Sequence, residues 1–312
     1  MANELLLLII GLAGLWLGAE LVVRGSQNLA RFFKISELVI GLTVVSIGTS
    51  LPEIAVSISG GLERAAGIET SGIVVGNALG SCLNQITIIL GIAGLFGALL
   101  ITKRELLRDG LMLVGSIVLF FIVAYDMKIT KFEGIILIVV YGIYFINLLR
   151  EEKLYEKIRR PELHLTWDLV SLGAGLFFVI YSSKMVVLNG VSLASLWGVK
   201  ESLIGILIIG LGTGLPELAV SLSALWKKST GIAVGNLIGS NICDLLLSLG
   251  LGTVISGFVV GEGLLKFDII FMFFTALAVL FLFKSGQRLT RREAVMLIII
   301  YVVYLGLKLT GL

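Results

Sequence analysis

GTSLPEIAVSISG (48–60) recurs as GTGLPELAVSLSA (212–224), with nine of thirteen positions identical. GIVVGNALGSCLNQI (72–86) recurs as GIAVGNLIGSNICDL (231–245), with seven of fifteen identical. The two motifs keep their order and nearly their spacing, which marks an internal duplication. One copy, 48–86, lies in the first half of the chain and the other, 212–245, in the second.

Outward from these motifs the sequence is too apolar for water. Of 312 residues, 57% are hydrophobic and 14% charged, and mean hydropathy is +1.07. A soluble domain averages about 25% charged residues, so lipid is the expected solvent. Stretches of the roughly 17–25 apolar residues that cross a bilayer core can be marked off at 4–23, 38–62, 71–98, 110–125, 132–149, 166–189, 202–226, 231–257, 267–284 and 293–310. The expectation is an all-α polytopic membrane protein of ten transmembrane helices. Residues 1–149 and 166–312 take five each, joined by a short charged linker, 150–165, that holds Pro161 and the sole histidine, His164. An odd number of spans per copy makes the second copy enter the membrane from the opposite side, the inverted repeat typical of secondary transporters.

Basic residues set the orientation. Connections after the odd-numbered spans hold 17 of the 24 Lys and Arg, which assigns them to the cytoplasm and both termini to the extracytoplasmic side of the cell membrane. The N-terminus lacks the basic start of a signal peptide and reads as a retained first span. Cys82 and Cys243 lie in apolar stretches and read as small hydrophobes. No basic run suggests nucleic acid, and no feature demands a protein partner.

Two of the three prolines, Pro52 and Pro216, occupy equivalent motif positions. A proline inside a helix leaves the carbonyl four residues earlier without its donor, which frees oxygens of Gly48 and Gly212 and loosens those of Thr49 and Thr213. In lipid an unsatisfied carbonyl is costly, and a cation can satisfy it. Each proline precedes a glutamate, Glu53 or Glu217, near mid-span, where a carboxylate costs roughly 2.5–3.5 kcal/mol. Thr49 with Glu53, Thr213 with Glu217, Ser81 with Gln85 and Ser240 with Asp244 are each four apart and expected to share helix faces. All offer oxygen, the donor that Ca²⁺ takes six to eight times over; zinc would call for His or Cys. The GxxxG pairs Gly76/Gly80 and Gly235/Gly239 should press the third and eighth spans against the second and seventh. Asn77, Asn84, Asn236 and Asn241 read as interhelical glue more than as ligands, and Ser46, Ser57 and Ser221 as bonded back to their own helices. Glu20 and Lys184 stand at equivalent repeat positions, but an ion pair between them is not counted on.

These motifs resemble the two alpha repeats of the calcium/cation antiporter superfamily, which includes sodium/calcium and calcium/proton exchangers. The resemblance covers the core of both halves. It implies a Ca²⁺ site between the second, third, seventh and eighth spans, and alternating access in which the first and sixth spans slide past that core. It also implies ligands at Thr49, Ser50, Glu53, Ser81, Thr213, Glu217, Ser240 and Asp244, with backbone oxygens near Ser46 and Gly210. Gly214 stands where the sodium/calcium pattern has a serine, and Gln85, kept as a candidate ligand, where it has an asparagine. Losing such oxygens favours H⁺ over Na⁺ as the counter-ion, although the GNAxE-like motif of the proton branch is absent; Na⁺/Ca²⁺ exchange is the alternative. No cofactor is expected beyond the transported ions. A cation channel is a more remote reading. An intramembrane enzyme is set aside, because the only histidine lies in a loop and only Asp244 among the aspartates falls squarely in mid-span.

Overall fold

The computed structural model describes residues 2–152, 165–196 and 212–309. Eleven helices carry nearly all of them. α1 (Ala2–Phe33) is followed by α2 (Glu37–Thr49) and α3 (Leu51–Ala65), two pieces bent 49° at Ser50. Next come α4 (Ser71–Phe96), α5 (Lys103–Val123) and α6 (Lys131–Glu152). The second half holds α7 (Leu165–Leu196), α8 (Leu215–Trp226), α9 (Thr230–Ser256), α10 (Leu264–Lys284) and α11 (Arg291–Leu309). Seven helices among the described residues are long and apolar enough to cross a membrane, and the bent α2–α3 pair makes an eighth. The stretch 202–211 of the expected seventh span, and His164 with most of the linker, lie outside the described residues. Side chains such as Leu6, Ile9, Phe132 and Phe281 stand exposed on the outer helices, as a lipid-facing surface requires.

Local chemistry sets the element boundaries. Thr102–Glu105, Thr130–Glu133 and Thr290–Glu293 open α5, α6 and α11 with reciprocal side-chain to backbone hydrogen bonds, the capping box that satisfies orphan N–H groups. The fold is all-helical as expected, and two antiparallel ladders of only two residues each clasp the halves together. β1 (Leu99–Leu100) pairs with β4 (Arg288–Leu289), and β2 (Lys128–Ile129) with β3 (Phe258–Val259). Gly257 enters β3 with φ +68°, a backbone region that glycine adopts without strain.

α4 and α9 run antiparallel through the centre. Val259 N donates to Ser71 Oγ at 3.0 Å, so α4 begins where α9 ends, and Gly97 after α4 lies against Leu225 near the end of α8. The α3–α4 turn and the α8–α9 turn are therefore at opposite ends of the core. α1 and α7 pack antiparallel along a seam of glycines. A Cβ at Gly18 would come within 2.8 Å of Val179 N, and one at Gly175 within 2.7 Å of Val22 N. Without side chains there, the backbones approach closely enough for dispersion and backbone contacts to hold the pair in lipid. α9 meets α2 in the same way through Gly235 and Gly239, across the two halves. A Cβ at Gly76 or Gly80 meets nothing among the described residues.

Candidate ion site

Pro52 and Pro216 do not sit inside continuous helices. Each falls in the first turn of a new one, α3 or α8, after a break at Ser50 or Gly214. Proline is tolerated there because first-turn N–H groups have no intrahelical partner. The consequence corrects the expected i,i+4 faces: Thr49 ends α2 and Thr213 lies in the turn before α8, so neither threonine shares a continuous helix with its glutamate. Glu53 and Glu217 thereby come to lie in the first turns of α3 and α8. The positive end of a helix dipole stabilises an anion there by about 0.3–1 kcal/mol. The negative end of α2, with Ser46 and Thr49, arrives at the same place.

The polar residues converge in a buried cluster. Glu53, Glu217 and Asp244 are 1%, 0% and 0% exposed, and Ser46, Thr49, Ser50, Ser81, Gln85, Asn236, Ser240 and Asn241 are buried with them. Ser81 Oγ lies 3.4 Å from Glu53 Oε1 and 3.3 Å from Asp244 Oδ2, so one hydroxyl links two carboxylates from different helices. Thr49 Oγ1 donates to Asn236 Oδ1 at 3.0 Å and lies 3.4 Å from Ser240 Oγ. Asn236 Nδ2 in turn reaches the Glu217 carbonyl and Ser221 Oγ, both at 3.2 Å. Thr213 is half-buried on the wall of a cleft of about 580 Å³ that also touches Pro52. Gly210 lies outside the described residues.

Gln85 departs from its expected role as an oxygen donor. Asn241 Nδ2 is held by the Leu237 carbonyl at 2.9 Å and donates onward to Gln85 Oε1 at 2.8 Å. That fixes the Gln85 amide with its nitrogen inward, donating to Ser81 Oγ and Asp244 Oδ2 at 3.0 Å each. The asparagines at 236 and 241 act as interhelical glue. Ser46 bonds back to the Leu42 carbonyl at 2.8 Å, whereas Ser57 pairs instead with Ser248 Oγ at 2.9 Å, and Ser221 accepts from Asn236. Three π-helical turns, Gly41–Val45, Gln85–Ile89 and Cys243–Ser248, border the cluster and carry Gln85 and Asp244 into it. Nothing in the apolar pattern announced them, since a one-residue bulge leaves an all-apolar helix looking the same.

Six buried oxygens of this cluster lack a hydrogen-bond partner among the described residues: Ser50 Oγ, Glu53 Oε2, both carboxylate oxygens of Glu217, Asn241 Oδ1 and Asp244 Oδ1. Buried polar atoms are normally satisfied, and each exception calls for an explanation. No three His, Cys, Asp or Glu among the described residues are arranged to hold a metal by themselves. The arrangement suits an ion that draws hydroxyl and carbonyl oxygens along with carboxylates.

A buried cluster rich in carboxyl and hydroxyl oxygens between broken helices of a multi-pass membrane protein defines a cation transporter rather than an enzyme. Comparison with known proteins agrees. Residues 3–150 and 167–310 match the family described as sodium/calcium exchanger protein, and the chain belongs to that family of cation/Ca²⁺ antiporters. A sodium/calcium exchanger of Methanosarcina acetivorans, MaX1, is 30% identical over 96% of this chain and 97% of its own. Inner membrane protein YrbG of Escherichia coli is 35% identical over 80% of this chain and 79% of its own. A structure of the sodium-calcium exchanger NCX_Mj soaked with Na⁺ and Sr²⁺ superposes with a TM-score of 0.84 at 26% identity, covering 98% of both chains.

Proposed function

We propose that the chain is a ten-helix Ca²⁺ antiporter of two inverted five-helix repeats, 1–149 and 166–312, that exchanges Ca²⁺ for H⁺ by alternating access at one central site. The observation that carries this reading is the set of orphaned oxygens, five of the six on Ser50, Glu53, Glu217 and Asp244. A Ca²⁺ ion needs six to eight oxygens at flexible geometry, and Thr49, Ser81, Thr213 and Ser240, with backbone oxygens near Ser46 and Gly210, supply the remainder. With the metal gone, the same carboxylates take the counter-ion, so the two cargoes compete for one set of groups. Both termini would lie outside the cytoplasm.

A proton needs a single carboxylate oxygen, whereas Na⁺ needs several ligands of its own. Gly214 offers no side chain and Gln85 turns an N–H inward, which supports H⁺. The name of the Methanosarcina relative favours Na⁺. Proteoliposomes loaded with radioactive calcium and given either gradient decide between them. Efflux driven by pH and indifferent to Na⁺ is expected. Efflux driven by Na⁺ replaces the counter-ion, and no gradient-coupled efflux removes calcium exchange altogether.

A further inference from the structure

Four charged residues outside the central site form a pattern that cation coordination does not use. Glu20 on α1 and Lys184 on α7 each precede their motif glutamate by 33 residues, and Glu63 and Lys227 each follow theirs by ten. The pair Glu20–Lys227 therefore has a repeat counterpart, Lys184–Glu63, with the signs exchanged.

The two pairs are in opposite states. Lys227 Nζ lies 3.4 Å from Glu20 Oε1 and 3.5 Å from the Glu20 carbonyl, tying α1 to the α8–α9 turn; Arg24 pairs with the same carboxylate. At the other end of the core, Glu63 and Lys184 are both exposed on the wall of the 580 Å³ cleft that reaches Pro52 and Thr213. Neither has an ion-pair partner there among the described residues. α1 packs along α8, while α7 stands off from α3 and leaves the cleft open.

We propose that Glu20–Lys227 and Glu63–Lys184 are alternative latches of the exchanger, each formed only when its own end of the central site is shut. The proposal rests on the alternating-access reading above and adds the residues that position the moving pair. α1 and α7 are pinned together by their glycine seam and shift as one body. Movement toward α3 closes the cleft, brings Lys184 onto Glu63 and withdraws Glu20 from Lys227. Partly exposed ion pairs shift an equilibrium by only about two- to five-fold. Two opposed latches nearly cancel, which leaves the bound cation to decide which end opens.

The test labels a cysteine at Ser59, an exposed residue of the cleft wall, with a charged maleimide in detergent. Lys184→Glu sets two glutamates against each other and should raise the labelling rate about two- to five-fold, by the same ion-pair magnitude. Lys227→Glu should lower it comparably, and the swap Glu63→Lys with Lys184→Glu should restore the parent rate. Unchanged rates, shifts in the same direction, or a swap that fails to restore would each overturn the latches. Size-exclusion profiles identify any variant that has lost its fold, and the swap serves as the folded counterpart of the single change. Gradient-driven Ca²⁺ efflux of the parent protein is measured in parallel. Absent efflux removes the exchange reading, whereas efflux with unresponsive labelling removes only the latches.

Discussion

Gly239→Ala tests whether the seam between α9 and α2 sets the geometry of the ion site. A Cβ at position 239 would lie 2.8 Å from Leu42 Cα, Leu42 O and Ser46 Oγ. Ordinary contact begins at 3.4 Å, so the helices must part by roughly 0.6 Å, and two of the three obstacles are backbone that no rotamer change removes. Overpacking of this kind costs about 1–3 kcal/mol, and rigid neighbours favour the upper half of that range. Ser240 follows Gly239, and its hydroxyl faces Thr49 across the seam at 3.4 Å. Ca²⁺–oxygen distances fall within about 2.3–2.6 Å, so a displacement of this size at one ligand should weaken Ca²⁺ binding about tenfold. A ligand stabilises the folded state by RT ln(1 + [L]/Kd), so a tenfold loss removes about 1.4 kcal/mol of that stabilisation at saturating Ca²⁺. The assay is thermal unfolding in detergent with and without Ca²⁺. Gly115→Ala, where a Cβ meets nothing among the described residues within 4 Å, is the control and should leave the Ca²⁺-induced rise in Tm unchanged. A wild-type Tm and a wild-type Ca²⁺ response in Gly239→Ala would refute the reasoning.

Glu53→Gln and Glu217→Gln should each abolish Ca²⁺ flux while the protein keeps its size-exclusion profile; wild-type-like flux in either removes that residue from the site. Gln85→Leu deprives Asp244 Oδ2 and Asn241 Nδ2 of a partner and should cost about 1–3 kcal/mol of stability, seen as a fall in Tm without Ca²⁺; an unchanged Tm would mean the network is not formed. Glu69, in the turn before α4, is held below the usual carboxylate range by hydrogen bonds from Ser71, with Arg64 assisting. A lowered folded-state value means stability that is present above the unfolded value of about 4.3 and lost as pH falls through the folded one. Glu69→Gln should therefore have a lower Tm than the parent at pH 7, with the gap closing in acid; a gap that persists at low pH contradicts the assignment.

Much of the site was legible because lipid makes polarity conspicuous. Glu53, Glu217 and Asp244 are rare ionisable groups in apolar stretches, and the duplication repeats the first two at equivalent positions. What stayed hidden is what apolar periodicity cannot encode. Breaks at Ser50 and Gly214 turn expected kinks into helix starts, because a proline reads the same at mid-helix and in a first turn. The π turns at Gln85 and Cys243 rotate side chains without changing composition. The direction of the Gln85 amide follows from a chain of bonds that begins at the Leu237 carbonyl, a partner no pairwise motif specifies.

The same duplication explains why Gln85 departs from a strict repeat. Gln85 and Asp244 are equivalent positions of the two copies, and they touch each other at 3.0 Å. Cys82 and Asn241 are likewise equivalent and likewise in contact, Cys82 Sγ lying 3.7 Å from the Asn241 carbonyl. Residues that meet their own counterparts lie on the axis relating the copies, where a true repeat would set like against like. Two carboxylates 3 Å apart would repel by about 5 kcal/mol at an effective dielectric constant near 20, in a place where water cannot relieve them. A carboxamide in one copy turns that repulsion into an N–H···O bond and leaves three carboxylates around the centre instead of four. Exact symmetry is therefore unaffordable on the axis and harmless away from it. Glu53 and Glu217 could remain identical, each at the start of its own helix, while the pair that meets on the axis had to diverge.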